Sequence, residues 1–435
     1  MKDDVERDDK AHPAEPGPDE IGEDPIFPNT SNATMTRTRK AGATARSRKG
    51  ELSTWPNAFT RLDINVVIAP DKFKGSLTAT QAARAIQRGV RAARADARCL
   101  LCPMADGGEG TVDVFLERGA TRKSARVHGP LGKPVDAVYA LSDGTAILEM
   151  ASASGLPLLE KSQYDPMHTD TFGTGELIRA ALDAGAKRLI VGIGGSATND
   201  AGVGMLRALG ARFLRADGTV IAGGVASYEH LTTIDLQALD ARLAGTRIDV
   251  AVDVDNPLCG TDGAASTFGA QKGANLEQIA LLDRVMAHIA DVAEHTLQRD
   301  YRNAPGAGAA GGLGFALLAF IGATMEPGVS LIAREWNLDE LLIGATLCMT
   351  GEGKIDAQTL HGKTVSGVGK LARARNVPVV AFGGAVDPVV VEELAQRGIG
   401  VVRIAPEEIA VDESIRKAAS FLEAAAKSAA QRLLG

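Results

Sequence analysis

Large aromatic side chains are scarce in this chain: phenylalanine, tyrosine and tryptophan make up only 4% of its 435 residues. A chain poor in rings and rich in Ala, Gly and Val suits an α/β protein with many tight strand-to-helix turns. Cysteine is rarer still. Cys99, Cys102, Cys259 and Cys348 are too few for a disulfide framework. Cys99 and Cys102 form a CxxC, but no second CxxC or CxxH pair answers it. Buried thiols are therefore expected there, and not a zinc or redox site. No apolar run reaches the ~18 residues that span a bilayer, so no membrane partner is expected. The formal charge of -7 leaves no basic excess for a nucleic-acid partner. With no secretory signal, a cytoplasmic location is expected.

What is present divides into a tail and a patterned body. Residues 1–62 run from an acidic, proline-containing stretch into a basic one, without hydrophobic periodicity. They read as a disordered tail, and Met35 offers an alternative start. From Ile64 the pattern is regular. "INVVIAP" reads as a strand, and Thr78 and Gln81 are spaced as a capping box for the helix that follows. Ala79, Ala82, Ala83, Ile86, Val90 and Ala93 form one apolar face. "RCLLC" and "GTVDVFLERG" continue as strand and helix. Residues 125–155 then alternate around "GPLG" and "SDG", as antiparallel strands do. After a long helix over 275–296, βα units return from "TLCMTGEGKID" to "IGVVRIAP". The simplest architecture is a doubly wound α/β domain, residues 63–122 and 326–435, interrupted by a second α/β domain over 123–325.

Polar and acidic groups gather just past the apolar strands. The first strand is followed by Asp71, Lys72, Lys74, Gly75 and Ser76, the second by Asp106, Gly107, Gly108, Glu109 and Thr111. "RLIVGIGGSATND" ends in Gly194, Gly195, Ser196, Thr198, Asn199 and Asp200. Asp253, Asp255 and Asn256 close another strand; Glu352, Lys354, Asp356, His361 and Lys363 close a late one. Taken singly, each is an ordinary turn or cap; together they occupy the strand ends where α/β proteins bind ligands. The chemistry they suit is phosphoryl transfer. Glycine N–H groups and helix N-termini approach phosphates, lysines neutralise them, carboxylates hold Mg²⁺, and one carboxylate can orient a hydroxyl.

Other nucleotide signatures fail on context. "GAGAAG" at Gly306–Gly311 matches GxGxxG by letters, but "QRDYRNAP" before it is no strand. It reads as a glycine-rich helix start. "GKT" at Gly362–Thr364 lacks the leading glycine of a P-loop, since Ala357 stands there. An NAD-dependent oxidoreductase and a non-catalytic ligand-binding protein remain the alternatives.

The ordered set "IAPDKFKGSLTA", "ADGGEGT", "GTGELI", "GIGGSATNDAG", "DVDNPL", "FGAQKGA", "PGAGAAGG" and "TGEGKIDAQTLHGK" resembles the type 1 glycerate kinases. The resemblance runs from about Ile64 to near the C-terminus. Lys72, Ala270 and Val365 depart from the family's usual serine and prolines. It implies ATP-dependent phosphorylation of D-glycerate, at O2, with Mg²⁺. It also implies a flavodoxin-like domain carrying a restriction-endonuclease-like insert, with a cleft between them. It says nothing of oligomeric state. Asp200, Asp71 and Lys74 are the expected catalytic groups, with Asp200 as base or Mg²⁺ ligand, or else only a helix cap. Asp106, Gly107, Gly108, Glu109, Gly194, Gly195, Ser196, Thr198 and Asn199 are expected to bind substrate or phosphate. Lys272, Lys354 and Lys363 are further phosphate candidates, and Asp253 and Asp255 are the metal candidates.

Overall fold

The structure is a computed structural model that describes residues 64–406 and 408–435, apart from the side chain of His361. The expected tail, residues 1–62, lies outside the described residues. In chain order, β1 (Asn65–Ile68) and β2 (Arg98–Leu101) come first. β3 (Thr121–His128), β4 (Pro134–Ser142), β5 (Thr145–Glu149) and β6 (Arg188–Gly192) follow. Next come β7 (Arg212–Leu214), β8 (Thr233–Asp235), β9 (Arg247–Ala251) and β10 (Thr324–Glu326). β11 (Leu347–Ile355), β12 (Val379–Val386) and β13 (Ile399–Arg403) are last.

These strands build two main sheets. The first has the order β13-β12-β11-β1-β2, and every neighbouring pair is parallel. The second has the order β10-β9-β6-β5-β4-β3; β3, β4 and β5 pair antiparallel, and β5, β6, β9 and β10 pair parallel. The chain is thus α/β, with strands from both of its ends in one sheet. β7 and β8 make a small antiparallel ribbon. Neither this ribbon nor β10 is legible in the sequence, because runs of three residues carry no measurable period.

Burial on both faces explains the apolar strands. Val66 and Ile68 pack among Ala82, Ile86, Leu422 and Ala426 from the helices Ala79–Ala93 and Val411–Leu434. Val67, pointing the opposite way, packs among Val114, Leu331 and Val368 from the helices Thr111–Glu117, Gly328–Glu335 and Thr364–Ala374. The capping box of Thr78 and Gln81 is formed as its spacing predicts. The second cluster does not stop at the first sheet. It also takes in Ile147 of β5, Ile190 of β6 and Ala251 of β9. Leu189 and Val191 of β6 face the second sheet's own helices, with Leu177 and Ile178. The two sheets therefore share an apolar seam.

At the end of that seam, backbone lies directly on backbone. A Cβ at Gly192 would stand 2.2 Å from the carbonyl oxygen of Gly107, and one at Gly107 would stand 2.4 Å from Ala251 Cβ. A Cβ at Gly328 would stand 2.0 Å from the Asp106 carbonyl oxygen. Glycine is required at these positions because nothing larger fits between the chains. Gly192→Ala is expected to lower stability by about 1–3 kcal/mol, as overpacking does. A melting temperature equal to the parent's would show that the seam yields freely.

Candidate active site

The loops that leave β1, β2, β6, β9 and β11 open onto one cleft of about 910 Å³. Its wall includes Asp71, Lys72, Lys74, Asp106, Gly108 and Glu109 from the first two loops. Gly194, Gly195 and Ser196 face them from the end of β6, and Asp253 from the end of β9. Glu352, Lys354 and Lys363 close the third side. Ala309 and Ala310, in the glycine-rich helix start, also reach the wall. No strand precedes that turn; the preceding long element is the helix Leu276–Leu297. Most of the expected site residues are thus brought together.

Acids dominate the floor. Asp71 is 4% exposed, with Thr364 Oγ1 donating to one oxygen at 2.6 Å and the Lys72 N–H to the other at 2.6 Å. Burial raises its carboxyl above the ordinary range, against the pull of Lys72. The Lys72 ammonium sits 3.6 Å from Asp71 and 3.5 Å from Asp106. Burial opposes that charge, yet the two carboxylates hold it above its usual value. Asp106 also feels burial, but Lys72 and the Gly108 N–H at 3.0 Å keep it below the usual carboxylate range. Glu352 accepts from Thr359 Oγ1 at 2.7 Å, and burial pushes it up to about 7. Desolvation also takes Asp253 to about 7, although its side chain still faces cleft solvent. Gly328 N–H donates to its Oδ1 at 3.0 Å.

Five expected residues are not on the cleft wall, and the reasons are physical. Gly107 is spent on the backbone seam. Asp255 is exposed beyond β9, so it does not join Asp253 in a metal pair there. Thr198 and Asn199 are 0% exposed, beneath the wall. Asp200, the expected base or metal ligand, is 4% exposed and engaged by four donors. Thr171 N–H and Oγ1 donate to Oδ2 at 2.9 and 2.8 Å, and Gly204 N–H at 3.0 Å; Gly202 N–H donates to Oδ1 at 3.0 Å. This carboxylate ties the start of the helix Val203–Ala208 to the loop before the helix Phe172–Asp183. Its surroundings equip it for anchoring and not for proton transfer.

Lys272 belongs to the wall but turns its ammonium inward. The side chain is buried, and Nζ donates to the Thr198 carbonyl at 2.8 Å and to Asn199 Oδ1 at 3.1 Å. Burial pushes this lysine down to about 7, with Asp200 opposing. It supports the loop after β6 from below and does not reach for phosphate. Lys354 lies on the wall, although its exposed ammonium pairs with Asp356 at 3.1 Å. Lys72 and Glu352 are functional candidates beyond those expected from the sequence. Both stand in strand-end clusters, and only their depth in the cleft sets them apart.

Among the described residues no three His, Cys, Asp or Glu side chains form a ready-made metal cage. Mg²⁺ ordinarily takes only one or two protein carboxylates and completes its shell with phosphate and water. One or two of Asp71, Asp106 and Asp253 fit that pattern: they are hard oxygen donors around one cleft, and burial raises Asp71 and Asp253. No helix among the described residues is long and apolar enough to cross a membrane.

Comparison with known proteins shows the family. The glycerate kinase family profile matches residues 66–434. A glycerate kinase of Halalkalibacterium halodurans is 45% identical over 84% of this chain and 97% of its own length. A glycerate 2-kinase of Escherichia coli K12 is 47% identical over 73% of this chain and 85% of its own. A crystal structure assigned as glycerate kinase 2 from Salmonella typhimurium LT2 superposes with a TM-score of 0.77. It is 42% identical and covers 86% of this chain and 98% of its own.

The burial of Asp200 yields a clear expectation. Asp200→Ala strands four donors at a buried site, so its destabilisation should far exceed the ~1 kcal/mol of an ordinary lost cap. Melting temperature and turnover, measured together, decide the matter. A variant as stable as the parent but ~10²-fold slower would restore the catalytic role.

Proposed function

We propose a reaction from one premise: the chain belongs to the glycerate kinase family, a family of phosphotransferases. The reaction is transfer of the γ-phosphoryl group of ATP to O2 of D-glycerate, giving 2-phosphoglycerate and ADP, in the cleft between the two sheets. The observation that carries it is the facing of buried carboxylates and lysines from one sheet against a glycine-rich loop from the other. The first sheet, whose strands in chain order lie 2-1-3-4-5, supports the flavodoxin-like description. Residues near 122 and 326 then bound the inserted, endonuclease-like unit.

The roles follow from depth and charge. Lys74 and Lys363 are placed to meet phosphate oxygens, with Lys354 able to leave Asp356 and join them. Gly194, Gly195 and Ser196 present N–H and hydroxyl donors to the substrate without adding negative charge that would repel its carboxylate. One or two of Asp71, Asp106 and Asp253 would hold Mg²⁺. When bound, that ion would neutralise phosphate charge. Lys72 keeps Asp71 and Asp106 from repelling one another before the ion arrives. Glu352 is the group tuned to take the hydroxyl proton. A carboxylate raised to about 7 by burial combines availability with driving force at neutral pH.

The test of the reaction is direct. Phosphorus NMR of the product formed from ATP and D-glycerate should show phosphate on C2; a C3 ester or no ester overturns the assignment. The base is tested separately. Glu352→Gln should lower kcat by about 10²-fold or more, and parent activity should rise with pH through about 7. Stability should move the other way. A carboxyl raised from 4.5 to about 7 binds its proton more tightly folded than unfolded, so its contribution falls as pH climbs through that window. The glutamine variant, with no charge to bury, should therefore melt at or above the parent's temperature above pH 7, measured without nucleotide or metal. A variant that is both inactive and strongly destabilised would make Glu352 a structural group.

A further inference from the structure

A second cavity of about 240 Å³ opens beside the cleft, and its deeper lining has no part in the roles above. It shares Asp71, Lys72, Lys74 and Glu109 with the cleft wall, so the two are continuous. Its depth is different in character. Phe73, Leu77, Ala79, Met104 and Val114 supply apolar surface. Carboxylates of Glu109, Asp113 and Glu117, all on exposed residues, stand around it. Thr80 belongs to its lining, and the Thr80 hydroxyl is buried without a partner in the protein.

Size and charge narrow the occupant. Pockets that hold a whole drug-sized ligand run to about 300–1,000 Å³. This one is smaller and suits a single ring system, while the cleft is large enough for the rest of such a ligand. Away from Lys72 and Lys74 an anion is a poor guest, because Glu109, Asp113 and Glu117 would repel it and the floor offers apolar carbon. Glycerate and the phosphates are thereby excluded. A neutral, flat, hydrogen-bonding ring fits, with sugar hydroxyls able to donate to the carboxylates at the rim. The lysines lie where this cavity meets the cleft, so a ring bound here would trail its phosphates past Lys72 and Lys74 toward the acids.

We propose that this cavity, between the segment Phe73–Leu77 and the helix Thr111–Glu117, takes the nucleobase of the phosphoryl donor. The proposal rests on the reading of ATP as donor. The segment is locally braced for such a task. Phe73 and Leu77 exchange backbone hydrogen bonds of 2.9 and 3.0 Å, and Ser76 Oγ donates to the Phe73 carbonyl at 2.9 Å. Phe73 is itself 2% exposed and locked into the core of the first sheet. The wall is thus rigid, and discrimination among bases would come from a fixed shape.

Leu77→Trp, which fills the cavity, tests this, with Ser76→Trp as a second variant in case the first does not fold. In either folded variant the KM for ATP should rise about tenfold or more, a loss of ~1.4 kcal/mol of binding. The KM for D-glycerate and the inhibition constant of tripolyphosphate, which has phosphates but no base, should stay within twofold. An unchanged ATP KM overturns the proposal. Parallel weakening of tripolyphosphate overturns it too, because the new side chain would then be blocking phosphates. In the parent enzyme, adenosine should compete with ATP and not with D-glycerate. Competition with neither would sink the proposal even if both tryptophan variants misfold. Failure of the parent to phosphorylate D-glycerate from ATP would be a separate result, and would refute the reaction itself.

Discussion

The whole arrangement depends on one close approach. The loop after β2 lies backbone on backbone against the end of β6 at Gly107 and Gly192 and against the helix start at Gly328, and only the Ala251 methyl group stands between Gly107 and the end of β9. This contact sets the separation of the two sheets. It places Asp106 and Glu109, on one side of the crossing, within a single cleft with Gly194 and Ser196 on the other. A cleft walled by two sheets is only as well defined as the joint between them. Here the joint is backbone and a single methyl group, without the rotamer freedom that larger side chains would bring. The apolar seam of Ile147, Ile190, Val112 and Val329 then seals it from behind.

The loop after β6 shows how one short stretch serves two tasks. Gly194, Gly195 and Ser196 face the cleft, whereas Thr198, Asn199 and Asp200 lie below it. The lower half is held by a buried cation, Lys272, and by the four donors that converge on Asp200. Gly311 presses on the same place, where a Cβ would stand 1.8 Å from the Thr198 carbonyl oxygen. An apolar strand thus ends in polar residues because its exit loop is clamped from beneath by polar contacts.

Much of this was legible in the sequence, and the parts that were not share a cause. Helix Ala79–Ala93 carries its own capping box and a clear apolar face, so it could be read alone. Strand ends with acids and lysines pointed to the cleft, since that is where α/β sheets gather ligands. Asp200 lies beneath the wall where an acid facing the substrate is expected, because spacing cannot distinguish a carboxylate aimed at solvent from one turned inward. The donors that satisfy it include Thr171, far away in sequence. Gly107 reads in sequence like a phosphate contact because glycine serves close approach to a ligand and to another strand equally well. Glu352 stood out only once its burial was known. Residue type is local information, while depth and orientation are set by the fold.

The course of synthesis is constrained by the same topology. β1 pairs Val66 with Leu347 and Val67 with Cys348, and the helix Ala79–Ala93 lies against the helix Val411–Leu434, with Arg88 bonded to Glu423 at 2.6 Å. Nothing made early can therefore complete its own sheet. On a ribosome, β1 and β2 emerge first and must wait for almost the whole chain, whereas the sheet built from 121–326 has all its strands in hand much sooner. The middle of the chain is the first part able to finish, and the two ends close around a partner already folded. Long-range pairing of this kind is slow, and it leaves apolar strands uncovered in the interval. The apolar run of β1 is thus most exposed to misassociation before the last helix has been made.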